Sequence, residues 1–137
     1  MTELKCPSSN QRGIRGLAYN YEYGSNLLSY GFDMHINVWC PEVSITRAFI
    51  GKLEGHSSLI VMCKFIPSSP NCISVDDRTN IRIWDIRTMS TVQVISSELV
   101  QTVTGLCIIT RSDKFVITGK RLNYYKNGAT SSSTKKE

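Results

Sequence analysis

Asn80-Ile-Arg-Ile-Trp84-Asp85 decides the reading of this chain, because His35-Ile-Asn-Val-Trp39 stands 45 residues before it in the same frame. Each stretch alternates apolar and polar residues and closes on a tryptophan, the pattern of a half-buried strand. Each is preceded by a short apolar run and a polar turn: Asn26-Leu-Leu-Ser-Tyr30 with Gly31 to Met34, and Cys72-Ile-Ser-Val75 with Asp76 to Asn80. A Gly55-His56 dipeptide lies between the tryptophans. Self-similarity at a fixed period of 20–50 residues is the mark of a repeat architecture, in which each unit buries its faces against its neighbours.

Working outward, each repeat reads as four short strands. Ile14 to Tyr19 opens the first, Pro41 ends its third strand, and Ile45 to Ile50 is expected as the fourth. In the second, Leu59 to Ile66 is apolar on both alternating faces, as expected between two neighbours. Thr91 to Ile95 follows the turn at Asp85 to Thr88. A third repeat offers Thr102 to Ile109, Lys114 to Thr118 and Arg121 to Tyr125, with tyrosine where tryptophan stood before. Beyond Asn127-Gly128 the sequence Ala-Thr-Ser-Ser-Ser-Thr-Lys-Lys-Glu is polar and low in complexity, and is expected to be disordered. The expected boundaries are an extension over 1–12, repeats over 13–56 and 57–98, a partial repeat over 99–128 and a tail over 129–137.

A Gly-His dipeptide followed by a Trp-Asp, at this period, resembles the WD-repeat β-propeller family. The resemblance covers about residues 13–126. It implies an all-β fold: a WD40 β-propeller fragment of about two full blades plus a partial third. Closed propellers hold about 4–8 blades. The expectation is therefore a part of a ring that is not stable as an isolated monomer.

The family buries a hydrogen-bonded set of His, Ser or Thr, Asp and Trp in each blade. By resemblance the second repeat supplies His56, Ser74 and Trp84. The family's aspartate position, six residues before the tryptophan, is held here by Arg78, with Asp76 and Asp77 out of phase. The first repeat supplies Ser29, Asp33 and Trp39, and its histidine position falls near Asn10.

Composition limits the alternatives. Cys6, Cys40, Cys63, Cys72 and Cys107 include no CxxC pair, and three fall in apolar runs, so they read as reduced thiols of a cytoplasmic protein rather than zinc ligands. No apolar run approaches the ~18 residues of a membrane span, and the N-terminus lacks a signal-peptide core. No GxGxxG or P-loop occurs, so no cofactor, nucleotide or metal is expected. His56 lies near Ser57, Ser58 and Asp76, but a histidine before an apolar strand is already explained as structural, and the chain is not expected to be an enzyme.

Charge is uneven. Residues 1–100 hold nine Lys/Arg and nine Asp/Glu, whereas residues 101–137 hold seven and two. The basic end makes RNA or DNA binding the alternative function. The favoured function is a non-catalytic scaffold that joins other protein subunits through loops on one propeller face. Ser57, Ser58, Asp77, Arg78, Lys120 and Arg121 are the candidate contact residues. A narrower resemblance rests on Ser29-Tyr-Gly-Phe-Asp-Met-His-Ile-Asn-Val-Trp-Cys-Pro41, Leu53-Glu-Gly-His56, Ser74-Val-Asp76, Ile83-Trp-Asp-Ile-Arg-Thr88 and Lys120-Arg-Leu-Asn-Tyr-Tyr125. These look like a group of large ciliary WD-repeat proteins that carry EF-hands. That resemblance implies a place in the cytoskeleton of the cilium, on the axoneme. This chain has no EF-hand loop, so calcium binding is not carried over.

Overall fold

A computed structural model describes residues 13–96, 103–110, 114–119, 122–126 and 129–135. It forms three four-stranded antiparallel sheets, each a meander of consecutive strands. The first holds β1 (Ile14–Asn20), β2 (Asn26–Gly31), β3 (His35–Trp39) and β4 (Phe49–Glu54). The second holds β5 (Ile60–Phe65), β6 (Asn71–Asp76), β7 (Asn80–Asp85) and β8 (Ser90–Ser96). The third holds β9 (Gly105–Ile109), β10 (Lys114–Thr118), β11 (Leu122–Lys126) and β12 (Ala129–Lys135). Short β-branched runs separated by turn residues can pair only with their sequence neighbours, which is why each blade is a meander.

The second sheet sits between the other two. Alternation along its strands divides its side chains between two faces. Ile60, Cys63, Cys72, Trp84 and Ile86 pack against Leu28, Ile36, Val38 and Leu53 of the first sheet. Val61, Ile73, Val75, Ile81, Ile83 and Ile95 pack with Val103, Leu106, Phe115 and Ile117 toward the third. β6 is therefore buried along nearly its whole length, whereas β1 exposes every other residue on the far side of the first sheet. On β1, Leu17 and Tyr19 are exposed, while Cys63 and Phe65, at the matching positions of β5, are packed under the first sheet.

Two expectations need correction. The fourth strand does not run over residues 45–50: Ile45–Arg47 is a 3-10 turn, and the strand starts four residues later and runs Phe49–Glu54. After Pro41 the chain folds back, with the Cys40 N–H donating to the Ala48 carbonyl at 2.7 Å, and Ala48 is buried. That shift puts Leu53 opposite Ile36 in the core. The expected disordered tail also differs, because Ala129–Lys135 pairs with β11 as β12. Ladder bonds use the backbone alone, Thr130 and Thr134 are β-branched, and Asn127-Gly128 is the residue pair that a two-residue hairpin favours.

The cysteines whose side chains are described are free: Cys63 and Cys72 are buried, Cys40 is half-buried and Cys107 is exposed. Burial, with Cys63 adjacent, pushes the Cys72 thiol well above its ordinary range, so it stays protonated.

Candidate functional site

The second tryptophan anchors a buried polar chain. Ser74 lies on β6 and Trp84 on β7, and the Trp84 Nε1–H donates to Ser74 Oγ at 2.7 Å. His56, from the loop between the first two sheets, has Nε2 at 2.6 Å from the same Oγ. Its Nδ1 is 3.1 Å from Asp76 Oδ2. A carboxylate only accepts, so Nδ1 carries the proton; Nε2 then accepts the Ser74 hydroxyl, and Ser74 Oγ accepts from the indole. Every donor finds one acceptor, provided the imidazole is neutral. Burial holds His56 below its ordinary pKa, over the opposing pull of Asp76.

Asp76 completes the set that Arg78 was expected to interrupt. The family's position six residues before Trp84 lies in the hairpin and is Arg78. The structure uses the residue eight before the tryptophan, at the end of β6. Ser74 and Asp76 are two apart on one strand and so share a face. The fully buried carboxylate also accepts the Arg78 and Asn80 backbone N–H groups, at 3.0 and 2.8 Å, and the Asn80 amide at 3.0 Å. Four donors satisfy a charge that would otherwise be costly to bury.

The glycine of the Gly-His pair has its own cause. Gly55 has φ +155, and a Cβ there would stand 2.7 Å from Arg82 Nη1 and 3.2 Å from the Trp84 ring. Arg82 lies over that ring at 5.6 Å from its centroid and donates to Thr91 Oγ1 at 3.1 Å. The aspartate of the Trp-Asp pair does separate work: Asp85 takes the Arg87 N–H at 2.9 Å and its guanidinium at 2.7 and 3.1 Å. Those bonds hold the Asp85 carboxyl below its usual range and fix the turn into β8.

The first sheet repeats half of this. Trp39 Nε1–H donates to Ser29 Oγ at 2.9 Å, both buried, and the Trp39 ring meets Phe49 edge-on at 5.3 Å. Asp33 is half-buried in the β2–β3 hairpin. The position near Asn10 lies outside the described residues, as do Lys120 and Arg121. Of the candidate contact residues, Ser57 and Arg78 are exposed and Ser58 is half-buried. Ser58 donates to Asp77 Oδ1, and Asp77 N–H donates to the Leu59 carbonyl at 2.9 Å. The inter-blade loop and the β6–β7 hairpin are thus tied together.

Ser74, His56 and Asp76 stand in the bonding order of a serine-hydrolase triad, yet the geometry refuses that chemistry. Ser74 is fully buried, and its oxygen is occupied by the indole N–H, so it cannot meet an acyl carbon.

A search of the solved structures aligns 93% of this chain with 38% of the RRP9 WD40 repeats, at a TM-score of 0.79 and 15% identity. The chain is a run of WD40 β-propeller blades. No protein-family model matches it. Among curated proteins, the WD40 segment is 38% identical over 87 residues to Cilia- and flagella-associated protein 337 B of Tetrahymena thermophila, covering 64% of this chain and 7% of that protein. It is 31% identical over 78 residues to Nuclear distribution protein nudF of Aspergillus flavus, covering 56% and 17%. The chain therefore spans a small part of the lengths of the curated relatives it matches. In this fold the His56–Ser74–Asp76–Trp84 chain holds a blade together and sets the loops at one end of it.

Proposed function

We propose that this WD40 segment is a non-catalytic scaffold that joins protein subunits within a larger assembly, and that the assembly is an axonemal complex of the cilium. One observation carries the scaffold reading. The reactive-looking side chains are spent on architecture, and what they secure is the inter-blade loop and the hairpin beside it. Rigid loops held on a stable frame are how such scaffolds present contact residues. Ser57, Ser58, Asp77 and Arg78 are the proposed contact residues on the second blade. The ciliary part rests on the likeness to Cilia- and flagella-associated protein 337 B. The exposed Leu17 and Tyr19 on β1 support a further element of the assembly covering that face.

The nucleic-acid alternative, with Lys120 and Arg121 as contacts, is not favoured, since residues 1–100 carry no net charge. Epitope-tagged chain expressed in ciliated cells tests the proposal. It should stay with axonemes after detergent removes the membrane, and resist extraction by moderate salt. Recovery in the detergent-soluble fraction, or release that follows nuclease treatment, would contradict it.

A further inference from the structure

β8 is the last strand of the second sheet, at the far end from β5, which adjoins β1 and β9. One side of its backbone therefore has no strand partner within that sheet. Such an edge is a template for another strand, and proteins usually blunt it with charged residues or proline. β4, Phe49-Ile-Gly-Lys-Leu-Glu54, carries Lys52 and Glu54. β12, Ala129-Thr-Ser-Ser-Ser-Thr-Lys135, ends on a lysine and has no large apolar residue. β8 reads Ser90-Thr-Val-Gln-Val-Ile-Ser96, with no charge, proline or glycine. Its Val92 and Val94 are 59% and 52% exposed. Valine favours strands where its branched side chain packs against neighbours, and here half of that packing is left to water.

The register of β8 against β7 shifts once, skipping Val92 between the pairs Trp84–Thr91 and Ile83–Gln93. A bulge also spoils an edge locally, but this one lies near the start of the strand. From Val92 onward the alternation is unbroken. Val92, Val94 and Ser96 are exposed, Gln93 is half-buried, and Ile95 is buried in the core toward the third sheet.

This segment complements itself. When a strand pairs antiparallel with its own copy, the two-fold axis stands perpendicular to the sheet. Opposed residues then lie on one face and are an even number apart in sequence, so the axis passes through a residue. Centred on Val94, the pairing sets Val94 against Val94, Val92 against Ser96 and Gln93 against Ile95. The exposed valines of both copies gather on one face, and no like charges meet. A centre on Gln93 would instead draw in Thr91, across the register shift.

We propose that β8 is a self-association edge, through which two copies of the chain pair antiparallel over Val92–Ser96 about a two-fold axis at Val94. An uncharged edge gives a charged partner nothing to recognise, whereas a second copy matches it residue for residue. A five-residue edge pair stands at the small end of protein interfaces, so the dimer is weak and forms where copies are concentrated.

Sedimentation velocity over a concentration series tests this on the full chain carrying Leu17→Ser and Tyr19→Ser, so that association through β1 does not contribute. The mass should rise from one chain toward two as concentration rises. Adding Val94→Lys or Val94→Glu sets like charges against each other at the axis, and each should weaken dimerisation by about tenfold or more. Val43→Lys, at an exposed valine off the strand, should leave it unchanged. An equimolar mixture of the Val94→Lys and Val94→Glu chains should dimerise again, which damage to the fold by either substitution would not allow. Hydrogen exchange needs no variant: in the unsubstituted chain, exchange at β8 should slow as concentration rises while exchange at β4 holds. The proposal is overturned by a parent chain that stays monomeric, by a Val94→Lys chain that dimerises as tightly as its parent, or by Val43→Lys weakening the dimer equally. A mixture that stays monomeric, or β8 exchange independent of concentration, overturns it as well.

Discussion

Removing one hydroxyl should separate the two blades' tryptophan sites. Ser74→Ala deletes the acceptor of the Trp84 indole and the donor to His56 Nε2 together, and its site is fully buried. Each buried polar group left without a partner costs about 1–3 kcal/mol, so the expected loss is about 3 kcal/mol with some relaxation. Ser29→Ala in the first blade deprives the Trp39 indole of its acceptor, and its expected loss is about 1–1.5 kcal/mol. Urea unfolding at pH 7.5, followed by tryptophan fluorescence, reads both. The midpoint should fall about twice as far for Ser74→Ala, at an unchanged slope. Adding His56→Phe to Ser74→Ala should cost less than the two single losses together, since both break one chain. Equal losses at Ser29 and Ser74, or a loss below about 0.5 kcal/mol at Ser74, the scale of an ordinary surface change, would refute the reasoning.

Other outcomes follow from the same geometry. In the unfolded chain His56 protonates near pH 6.5, while burial keeps it neutral to lower pH in the folded state. The unfolded state therefore binds the extra proton, so stability is full above about pH 7 and is lost as pH falls through 6.5 toward the folded value. Thermal melts from pH 8 to 5 should show that slope in wild type and a reduced one in His56→Gln. Trp84→Ala should lose about 3–5 kcal/mol in the same urea titration, as a large core aromatic does. Asp85→Asn should lose under about 1 kcal/mol, because its partner Arg87 is largely in water. With Leu17 and Tyr19 exposed on β1, light scattering on the isolated chain should find oligomers; a soluble 15.4 kDa monomer with a cooperative melt would contradict this.

What the sequence made legible was what repeats. The 45-residue frame located Trp39, Trp84 and the serines ten residues before them, since strand pairing at a fixed register preserves that spacing. Asp76 was not legible because it ends β6, eight residues before Trp84, whereas the family's aspartate stands in the hairpin. Strand alternation from Ser74 would have found it, two residues on and on the same face. The fourth strand of the first blade was placed too early because the 3-10 turn at Ile45–Arg47 is apolar enough to read as a strand. β12 escaped because a Ser/Thr run has no apolar alternation, although the Asn127-Gly128 signal preceded it. The left-handed residues Ser25, Met34, Ser68, Thr79 and Met89 left no periodic trace, since each is set by its turn rather than by composition.

The Ser–His–Asp–Trp chain of the second blade is closed and buried, and its role is structural. The exchange of the Trp84 indole proton, followed by nitrogen–proton NMR after transfer to heavy water, reads this most directly. The Trp84 signal should persist as long as the slowest core amides of β6 and β7, and Ser74→Ala should abolish this protection. Loss of the Trp84 signal within the dead time of the wild-type experiment, while β6 amides remain protected, would contradict it.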